Sequence, residues 1–438
     1  MNPKTLSHWL AHIERLHPTV IDMGLERVHA VKRALGLAPS FPVIIVGGTN
    51  GKGSTCAMLE AILAEAGYRV GCYTSPHLLR YHERVRIDRR EASDRELRES
   101  FAEVERARGD LALTYFEFGT LAAMTLFVQT GVDVAILEVG LGGRLDAVNA
   151  FDADCAIVTS VDIDHVAYLG DTREAIGFEK AGIFRGGKPA ICADAVPPES
   201  LRAHAASIGA DLREIGRDFG YDTRRLNWRF QRSGADAVVL PYPRLRGAFQ
   251  LSNASAAIAA LDALHDRLPV PESALRSGLL NATVAGRFQI LRHAPSVIVD
   301  VAHNPHAATA LAHNLECSKT GGRTTAVFAM LADKDIEAVI GVLKGRIDKW
   351  LVADIHEPRG ATAAHLTQAL RVQGVDAPID EFATPALAYR HALANVDSAN
   401  DRIVVFGSFH TVADVLREEA TSPARLTRQQ PAASHACA

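Results

Sequence analysis

The sequence predicts an α/β protein that has two domains with largely parallel sheets. Short apolar runs alternate with helix-forming segments along almost the whole chain, which is the pattern of parallel strands joined by helices. A length of 438 residues exceeds what one hydrophobic core usually serves. The first β-branched run, at residues 43–46, leads directly into a glycine-rich loop, which is typical of nucleotide-binding α/β domains.

Two series of apolar runs predict the strands of the two domains. Between them, residues 213–243 are rich in Arg, Asp and aromatic residues and predict peripheral β-structure or a hairpin inserted in the first domain, and residues 254–264 then predict a helix. We place the N-terminal domain at residues 1–286 and the C-terminal domain at residues 287–420. Residues 421–438 are polar and non-periodic, so we expect a disordered tail there. The predicted strands are Val43–Val46, Arg69–Tyr73, Val132–Leu137, Cys155–Ser160 and Pro189–Ala193 in the first domain, and Val297–Val301, Thr325–Ala329, Trp350–Ala353 and Ile403–Phe406 in the second.

Composition narrows the class of protein. A hydrophobic fraction of 48% and a charged fraction of 22% are those of an ordinary soluble protein, and a net charge of −4 gives no reason to expect a nucleic-acid partner. The most apolar window, residues 121–139, is interrupted by Thr125, Gln129 and Asp133, so we expect no membrane span. The six cysteines lack a C-x-x-C spacing, which predicts reduced core thiols and a cytoplasmic location.

The glycine-rich loop carries the clearest chemistry. Residues 47–55 read GGTNGKGST, a loop whose backbone N–H groups can approach an anion at the start of a helix, which we predict over residues 56–65. Lys52 is placed to reach the β- and γ-phosphates, and the hydroxyl of Ser54 to bind magnesium. The usual pattern G-x-x-x-x-G-K-[ST] fails twice, because Val46 occupies the first glycine position and Gly53 separates Lys52 from Ser54. The loop is therefore a variant phosphate loop.

Polar residues follow the apolar runs at the ends where a parallel sheet binds its ligands. Glu138 ends one run next to a glycine cluster, and Asp162, Asp164 and His165 follow the next run along the chain. Metal binding is one interpretation of both groups. The alternatives are a helix-capping or solvated carboxylate at Glu138 and a structural cluster at residues 162–165.

Three further segments carry groups that could act in a functional site but also have a common structural explanation. Lys180 lies on an amphipathic helix just before Gly182, where a lysine is usually a solvated charge. Ser75 belongs to a short turn, Thr-Ser-Pro-His, after the strand that ends at residue 73. The aromatic stretch at residues 113–118 suits either core packing or a flat wall against a ring-shaped ligand.

The second half repeats the arrangement of polar groups between a strand and a helix. Asp300 ends an apolar run, where an acid can hold a ribose by its hydroxyls, and residues 301–306 read VAHNPH. Residues 404–410, VVFGSFH, form the last such element.

Together these motifs resemble the dihydrofolate synthase/folylpolyglutamate synthase family of the Mur ligase superfamily. The matching segments occur in family order from Ile21 to about Val415: they are 48–54, 74–86, 113–120, 137–149, 164–165, 179–183, 286–288, 300–305 and 407–412. The aromatic segment LTYFEFGT is similar to that of the bifunctional bacterial form. The resemblance implies a Mur-ligase-like P-loop ATPase domain with a largely parallel sheet, plus a smaller Rossmann-like C-terminal α/β domain that closes over a site between the two.

The resemblance also implies a role for each matching residue. The implied catalytic residues are Lys52, Lys180, His165 and Arg287. The implied ATP-binding residues are Thr49, Asn50, Gly51, Lys52, Gly53, Ser54, Asn253, Arg287 and Asp300. The pteroate or folate surface comprises Asp22, Met23, Gly24 and Leu25 of one turn, Thr114, Tyr115, Phe116 and Glu117, and Leu145, Asp146 and Ala147. Ser54, Ser75, Glu138, His165 and Lys180 are implied to bind two magnesium ions, and the lysine at the position of Lys180 is carbamylated in the family. His303 and Ser408 are implied to bind the incoming glutamate.

The implied reaction is ATP-dependent amide formation. The carboxylate of dihydropteroate, or of a folylpolyglutamate, attacks the γ-phosphate of ATP, and the amine of L-glutamate then attacks the resulting acyl phosphate. The cofactors are ATP as co-substrate and magnesium, and the partners are these small molecules only. The family is commonly monomeric, so we expect a monomer.

Three alternatives remain to be compared with this interpretation. A folylpolyglutamate synthase without the first activity would accept reduced folates but not dihydropteroate, and the sequence does not separate the two. A peptidoglycan-type Mur ligase is expected to carry a UDP-binding domain before the phosphate loop, which begins here by residue 47. A switch GTPase is expected to carry Asn-Lys-x-Asp, and the chain contains no Asn-Lys pair.

Overall fold

The computed structural model describes residues 3–19, 21–234, 236–247, 249–318 and 320–421. It contains two compact units: the first runs up to Leu245 and resumes from Phe249 to Val284, and the second begins at Ala285 and also takes in Arg246 and Gly247. The sequence-based boundary lies between residues 286 and 287. Of the predicted tail only Thr421 is described, as the last residue of a helix, and residues 422–438 lie outside the described residues.

The main sheet of the first unit has the strand order β4-β3-β2-β5-β1-β6-β7-β8 in the described residues. Its strands are β1 (Val43–Gly47), β2 (Val70–Tyr73), β3 (Val85–Ile87), β4 (Arg90–Glu91), β5 (Val134–Glu138), β6 (Cys155–Val158), β7 (Pro189–Cys192) and β8 (Asp211–Glu214). From β2 to β8 every neighbouring pair is parallel, and β3 and β4 add an antiparallel edge. The prediction of a largely parallel sheet is confirmed.

Helices cover both faces of this sheet, which explains why its central strands are apolar throughout. The helices are α1 (Leu6–Glu14), α2 (Glu26–Ala34), α3 (Lys52–Glu65), α4 (Asp94–Arg108), α5 (Tyr115–Thr130), α6 (Val166–Leu169), α7 (Arg173–Ala181), α8 (Glu199–Ile208), α9 (Gln250–Ala263) and α10 (Glu272–Asn281), with 3₁₀ turns at Tyr81–Arg84 and Ala147–Ala150. Alternate residues of β1 serve different cores: Val43 and Ile45 pack with α1, α2, α4 and α5, whereas Ile44 and Val46 pack with α3, α9 and α10. The phosphate loop after β1 is thus anchored in the middle of the unit.

A small antiparallel sheet lies in the segment between the two series of predicted strands. It consists of β9 (Phe219–Thr223), β10 (Trp228–Arg232) and β11 (Val238–Leu240), in the order β11-β10-β9. Trp228 and Phe230 are fully buried in the same core as α9. The prediction of peripheral β-structure in residues 213–243 is confirmed.

The second unit is built on a sheet with the order β12-β13-β17-β14-β15-β16 in its described residues. Its strands are β12 (Gln289–His293), β13 (Ser296–Asp300), β14 (Thr324–Phe328), β15 (Lys349–Ala353), β16 (Ile379–Phe382) and β17 (Arg402–Phe406). Its helices are α11 (Pro305–Cys317), α12 (Ile336–Leu343), α13 (Ala363–Val372), α14 (Pro385–Ala394) and α15 (Phe409–Thr421), with a 3₁₀ turn at Lys344–Arg346. All neighbouring strands are parallel except β12, which runs antiparallel to β13.

Several local expectations need correction. Helix α3 begins at Lys52 rather than Cys56, because Gly51 adopts a left-handed conformation and caps the helix directly. Strand β6 ends at Val158 rather than Ser160, so residues 162–165 lie in the connection that follows it. Four cysteines are buried core thiols as expected, but Cys317 is exposed, and Cys437 lies outside the described residues.

None of the described helices combines the length and the apolar character that crossing a bilayer requires.

Candidate active site

The phosphate loop joins β1 to α3 through two glycines that other residues could not replace. Gly48 has a φ of 139° and Gly51 a φ of 90°, both outside the range that other L-residues readily adopt. A Cβ at Gly48 would collide with the hydroxyl of Thr159, and one at Gly51 with the side-chain oxygen of Asn253. The glycines therefore supply both the turn and the space for the groups that surround it.

The connection after β6 holds the loop by side-chain hydrogen bonds. The Thr49 hydroxyl donates to the carbonyl of Asp162 at 3.0 Å and accepts from its N–H at 2.9 Å. The Thr159 hydroxyl donates to the Asn50 carbonyl at 2.6 Å, and the Ser160 hydroxyl accepts from the Asn50 N–H at 3.1 Å. These bonds fix the direction in which the loop presents its backbone.

Lys52 lies over the loop that precedes it. Its ammonium group donates to the carbonyls of Gly48, at 2.9 Å, and Thr49, at 3.1 Å. A positive charge at the N-terminus of α3 adds to the favourable end of the helix dipole, so the loop is an anion site of high local potential.

Three predicted metal-site residues meet next to this loop. Glu138 is the last residue of β5, is buried, and accepts a hydrogen bond from the Ser75 N–H at 3.1 Å. A Cβ at Gly53 would lie 3.7 Å from a Glu138 oxygen, which places the carboxylate against the first turn of α3. Ser54, also buried, accepts from the Gln250 amide at 3.3 Å.

The described residues contain no group of three His, Cys, Asp or Glu side chains arranged to hold a metal ion. A divalent metal here would combine Glu138 with serine hydroxyls, water and phosphate oxygens. Magnesium is usually bound in that way, through one or two carboxylates and the phosphates of the substrate. The oxygen donors of Glu138, Ser54 and Ser75 fit such an ion.

His165 and Lys180, the other two predicted metal-site residues, both lie in the connection between β6 and β7, at its two consecutive helices. His165 caps α6 in a left-handed conformation, with φ 53°, and its ring lies 4.0 Å from an Asp164 oxygen. Lys180 is buried near the end of α7. Burial, assisted by the nearby Lys52 charge, lowers the pKa of Lys180 to about 7, so much of this amine is neutral at physiological pH.

The glycine cluster after β5 packs tightly on the end of α7. A Cβ at Gly143 would lie 2.8 Å from the Glu179 carbonyl, and one at Gly182 would collide with Arg144. The Arg144 guanidinium donates to the Glu179 carboxylate at 2.8 Å, and the backbone N–H of Arg144 donates to the Glu179 carbonyl at the same distance. These contacts fix the backbone next to Lys180.

Asp146 lies in the connection between β5 and β6, and its carboxyl group is buried. Its oxygens accept from the N–H groups of Leu141, at 2.8 Å, and Val148, at 3.1 Å. Burial raises the pKa of Asp146 to about 7 in spite of these hydrogen bonds. The group can therefore carry a proton near neutral pH.

The three segments predicted to bind the acceptor come together in the first unit. A Cβ at Gly140 would lie 2.8 Å from the Phe116 ring, and one at Gly142 would lie 3.5 Å from the Met23 side chain. The start of α5 and the 22–25 turn therefore both lie beside the glycine cluster at residues 140–143, which Asp146 follows in the chain.

The aromatic residues at the start of α5 divide between core and surface. Phe118 is fully buried, in agreement with the core-packing alternative, whereas Tyr115 and Phe116 are only partly buried. The Phe116 ring lies 5.8 Å from that of Tyr73, and the Tyr115 ring 5.9 Å from that of Tyr81. The exposed parts of these two rings leave open the alternative of a wall against a ring-shaped ligand.

In the second unit, Asp300 and Arg287 lie around the carboxyl end of β13. Asp300 accepts from the N–H groups of Phe288 and Ala302, each at 2.8 Å, and burial raises its pKa. The Arg287 guanidinium lies 5.5 Å from the centre of the Phe409 ring, which also packs against His303 at 6.2 Å. The structure thus places two of the predicted residues, Arg287 and His303, against the Phe409 ring.

Ser408, the remaining predicted residue, is buried where α15 begins. Its hydroxyl accepts from the Thr411 N–H at 3.0 Å and lies 2.7 Å from the Thr411 hydroxyl. This side chain has a structural role in starting the helix, and its assignment to glutamate binding stays a prediction.

Some residues of the site were missed at the level of sequence. Gln250 bonds Ser54, and Thr159 bonds Asn50. These partners are more than a hundred residues apart, so no local sequence pattern predicts the contacts. Arg27 joins Asp22 to Glu117, and Arg144 joins the glycine cluster to Glu179. A local signal exists for Arg27 alone, since it lies five residues after Asp22 at the start of an amphipathic helix.

Comparison with known proteins agrees with this geometry. The model of the Mur ligase middle domain matches residues 46–261, and that of the Mur ligase glutamate ligase domain matches residues 286–409. A dihydrofolate synthase/folylpolyglutamate synthase of Escherichia coli (strain K12) is 47% identical over 412 residues, which are 94% of this chain and 94% of that protein.

Two solved structures are similar over nearly the whole chain. The structure of E. coli FolC in complex with DHPP and ADP has a TM-score of 0.90 at 45% identity and covers 98% of this chain and 99% of that chain. A bifunctional folylpolyglutamate synthase/dihydrofolate synthase from Yersinia pestis, complexed with AMPPNP and Mn ion, has a TM-score of 0.89 at 45% identity and covers 95% and 99%.

The fold and the phosphate loop are therefore those of a Mur ligase, an ATP-dependent ligase that forms a carbon–nitrogen bond. Within that class, the chain belongs to the dihydrofolate synthase/folylpolyglutamate synthase family. The predicted fold class and the predicted family are both confirmed.

Proposed function

We propose that this enzyme adds L-glutamate to 7,8-dihydropteroate and to reduced folylpolyglutamates, at the expense of ATP and through an acyl phosphate. The observation that supports this most is that Glu138, which accepts from the Ser75 N–H, lies against the first turn of α3 beside the phosphate loop, an arrangement that suits a phosphate group together with a divalent metal. The E. coli relative bears the names of both activities, and the solved relatives bind ADP with DHPP, or AMPPNP with Mn ion.

A carboxylate is a poor electrophile, so the role of ATP is to convert one of its oxygens into a phosphate leaving group. The loop backbone and Lys52 hold the β- and γ-phosphates and neutralise the charge that develops during transfer. The carboxylate attacks the γ-phosphorus and displaces ADP, and the glutamate amine then attacks the acyl carbon, loses a proton and expels phosphate. Most of the rate enhancement comes from positioning and charge stabilisation rather than from acid–base chemistry.

The metal requirement follows from the same geometry. Ser54, Ser75 and Glu138 would hold one magnesium ion, and His165 with a carbamylated Lys180 would hold a second. Bound magnesium supplies Lewis-acid stabilisation of the phosphate oxygens. The amine of Lys180 is suited to carbamylation because burial keeps much of it neutral, and a neutral amine is the form that adds carbon dioxide.

The acceptor is proposed to lie along the turn that contains Asp22, Met23 and Gly24, the start of α5, and the residues around Asp146. The partly buried rings of Tyr115 and Phe116 suit a flat heterocycle, and the Asp146 carboxyl suits its hydrogen-bonding edge. In the second unit, the roles of Arg287 and Asp300 in ATP binding, and of His303 and Ser408 in glutamate binding, are proposals that the family resemblance supports. We retain the expectation of a monomer that acts in the cytoplasm on small molecules, without a nucleic-acid or membrane partner.

The Gly51→Ala variant tests the phosphate loop. We expect ATP affinity to fall by about tenfold or more, because the new methyl group meets Asn253 at a positive φ. The matched control is Gly187→Ala, where φ is also positive, at 68°, but no atom lies within 4 Å of the new Cβ. Isothermal titration of both variants with an ATP analogue measures the effect, and equal affinities in the two variants would argue against a closely fitted loop.

The Asp146→Asn variant tests the proton held at that site. Because the pKa of Asp146 is raised to about 7 in the folded chain, the folded protein keeps a proton that the unfolded chain releases above about pH 4. Wild-type stability should therefore fall relative to the variant between pH 5 and pH 8, on the order of 1–4 kcal/mol. Urea unfolding at the two pH values measures this difference, and parallel pH profiles would contradict it.

The choice between two activities and folylpolyglutamate synthesis alone needs one assay. Phosphate release is measured with ATP, magnesium and L-glutamate, using dihydropteroate or tetrahydrofolate as acceptor. We expect release with both. Release with tetrahydrofolate alone would leave only the second activity, and release with neither would overturn the proposed function.

A further inference from the structure

Arg27 connects the 22–25 turn with Glu117, which lies 90 residues after Arg27 in the chain. It is in the first turn of α2, and its guanidinium donates to the Asp22 carboxylate at 2.8 Å and to the Asp22 carbonyl at 3.0 Å. On its other side it donates to the Glu117 carboxylate at 2.9 Å through one terminal nitrogen and at 3.2 Å through Nε. All three guanidinium nitrogens are therefore engaged: Nη1 bonds Asp22 of the 22–25 turn, Nε bonds Glu117 of α5, and Nη2 bonds both.

The two acidic partners differ in their surroundings. The Glu117 side chain is only 5% exposed, whereas that of Asp22 is 42% exposed. Glu117 also accepts the Thr114 N–H at 2.7 Å in the capping box that begins α5. Arg27 thus ties an exposed turn, through Asp22, to the buried start of α5, through Glu117.

This linkage needs an arginine rather than a generic cation. A guanidinium presents its N–H groups in a rigid planar fork, so it can bind a carboxylate on each side at once. A lysine ammonium is a single point charge on a flexible stem and would satisfy one side at a time. The geometry therefore makes a specific demand at position 27.

We propose that Arg27 is a positioning residue for the acceptor: it holds the 22–25 turn against the start of α5 and so keeps two parts of the acceptor surface in register. This inference rests on the proposed function, which places the acceptor along Asp22, Met23 and the residues from Thr114 to Glu117. Arg27 acts through these groups. Its loss should weaken acceptor binding far more than ATP binding, because the phosphate loop has its own anchors at Thr159 and Ser160.

The test compares Arg27→Lys and Arg27→Met with wild type and with a matched control, Arg90→Met. Arg90 forms a similar two-pronged pair with Glu96, at 2.7 and 3.0 Å, in the same unit but outside the acceptor surface. Steady-state kinetics with dihydropteroate and with ATP as the varied substrates give two KM values for each protein. Thermal unfolding of each variant records its stability separately.

We expect Arg27→Met to raise KM for dihydropteroate by about tenfold or more, with KM for ATP within about twofold of wild type. Arg27→Lys keeps a positive charge beside the buried Glu117 and should fold, with a smaller rise in the same KM. Arg90→Met should leave both KM values unchanged. If Arg27→Met does not fold, Arg27→Lys carries the test alone.

Two outcomes would overturn the inference. One is an unchanged KM for dihydropteroate in Arg27→Lys or in a folded Arg27→Met, and the other is an equal rise in both KM values, which a general structural role would produce. Failure of the proposed function gives a different result, because wild type itself would then release no phosphate with dihydropteroate.

Discussion

Replacing Lys52 by alanine is expected to lower kcat for glutamate ligation by about 10²- to 10³-fold while the protein remains folded. The ammonium group lies over the phosphate loop, 2.9 Å from the Gly48 carbonyl, and the proposed mechanism uses it to neutralise the charge that develops on the phosphates. Removing one preorganised donor of this kind usually costs about 2.7–4 kcal/mol in the transition state. The measurement is phosphate release under saturating ATP, dihydropteroate and glutamate.

Lys188→Ala provides the matched control for this variant. Lys188 is a half-exposed lysine of the same unit that pairs with Asp154 at 3.1 Å, and Asp154 keeps a second partner in Arg267. This control should retain wild-type turnover. Near-normal turnover in Lys52→Ala, with circular dichroism unchanged, would contradict the assignment of the loop as the catalytic phosphate site.

Replacing Lys180 is expected to have an effect of similar size for a different reason. Lys180→Met keeps the length of the side chain but cannot form the proposed metal-binding carbamate, so we expect kcat to fall by about 10²-fold or more. Lys180→Ala should lose as much and should recover part of its activity when a small carboxylate such as acetate is added. Turnover with and without acetate measures both effects.

Lys32→Met is the control for burial of a lysine. Lys32 is also a partly buried lysine, donating to the Ala150 carbonyl at 2.8 Å and lying over the Phe151 ring, but it is outside the proposed site. Its replacement should not change kcat. Full activity of Lys180→Met would contradict a carbamate at this position that the reaction requires.

The central strands of both sheets could be predicted because parallel strands covered on both faces are continuously apolar. Edge strands do not have this property. Strands β4, β12 and β16 lie at sheet edges, have few fully buried residues, and were not recognised in the sequence. The order of the strands likewise depends on pairing between distant segments, which no local pattern encodes.

The same distinction applies to the site. The phosphate loop is contiguous, so its glycines, Lys52 and Ser54 could be found from spacing and chemistry. The start of α3 was misplaced because Gly51, which the pattern treats as loop, also caps the helix. Gln250 and Arg27 act across the fold, over 196 and 90 residues, and their contacts emerge only when the chain is folded.

The most direct test of the proposed mechanism follows the oxygen of the acceptor carboxylate. Dihydropteroate labelled with ¹⁸O in its carboxylate is incubated with the enzyme, ATP, magnesium and L-glutamate, and the released phosphate is analysed by mass spectrometry. An acyl phosphate requires that one carboxylate oxygen leaves with phosphate, so we predict one ¹⁸O in each phosphate released during ligation. Unlabelled phosphate accompanying the formation of the amide product would contradict activation of the carboxylate by ATP.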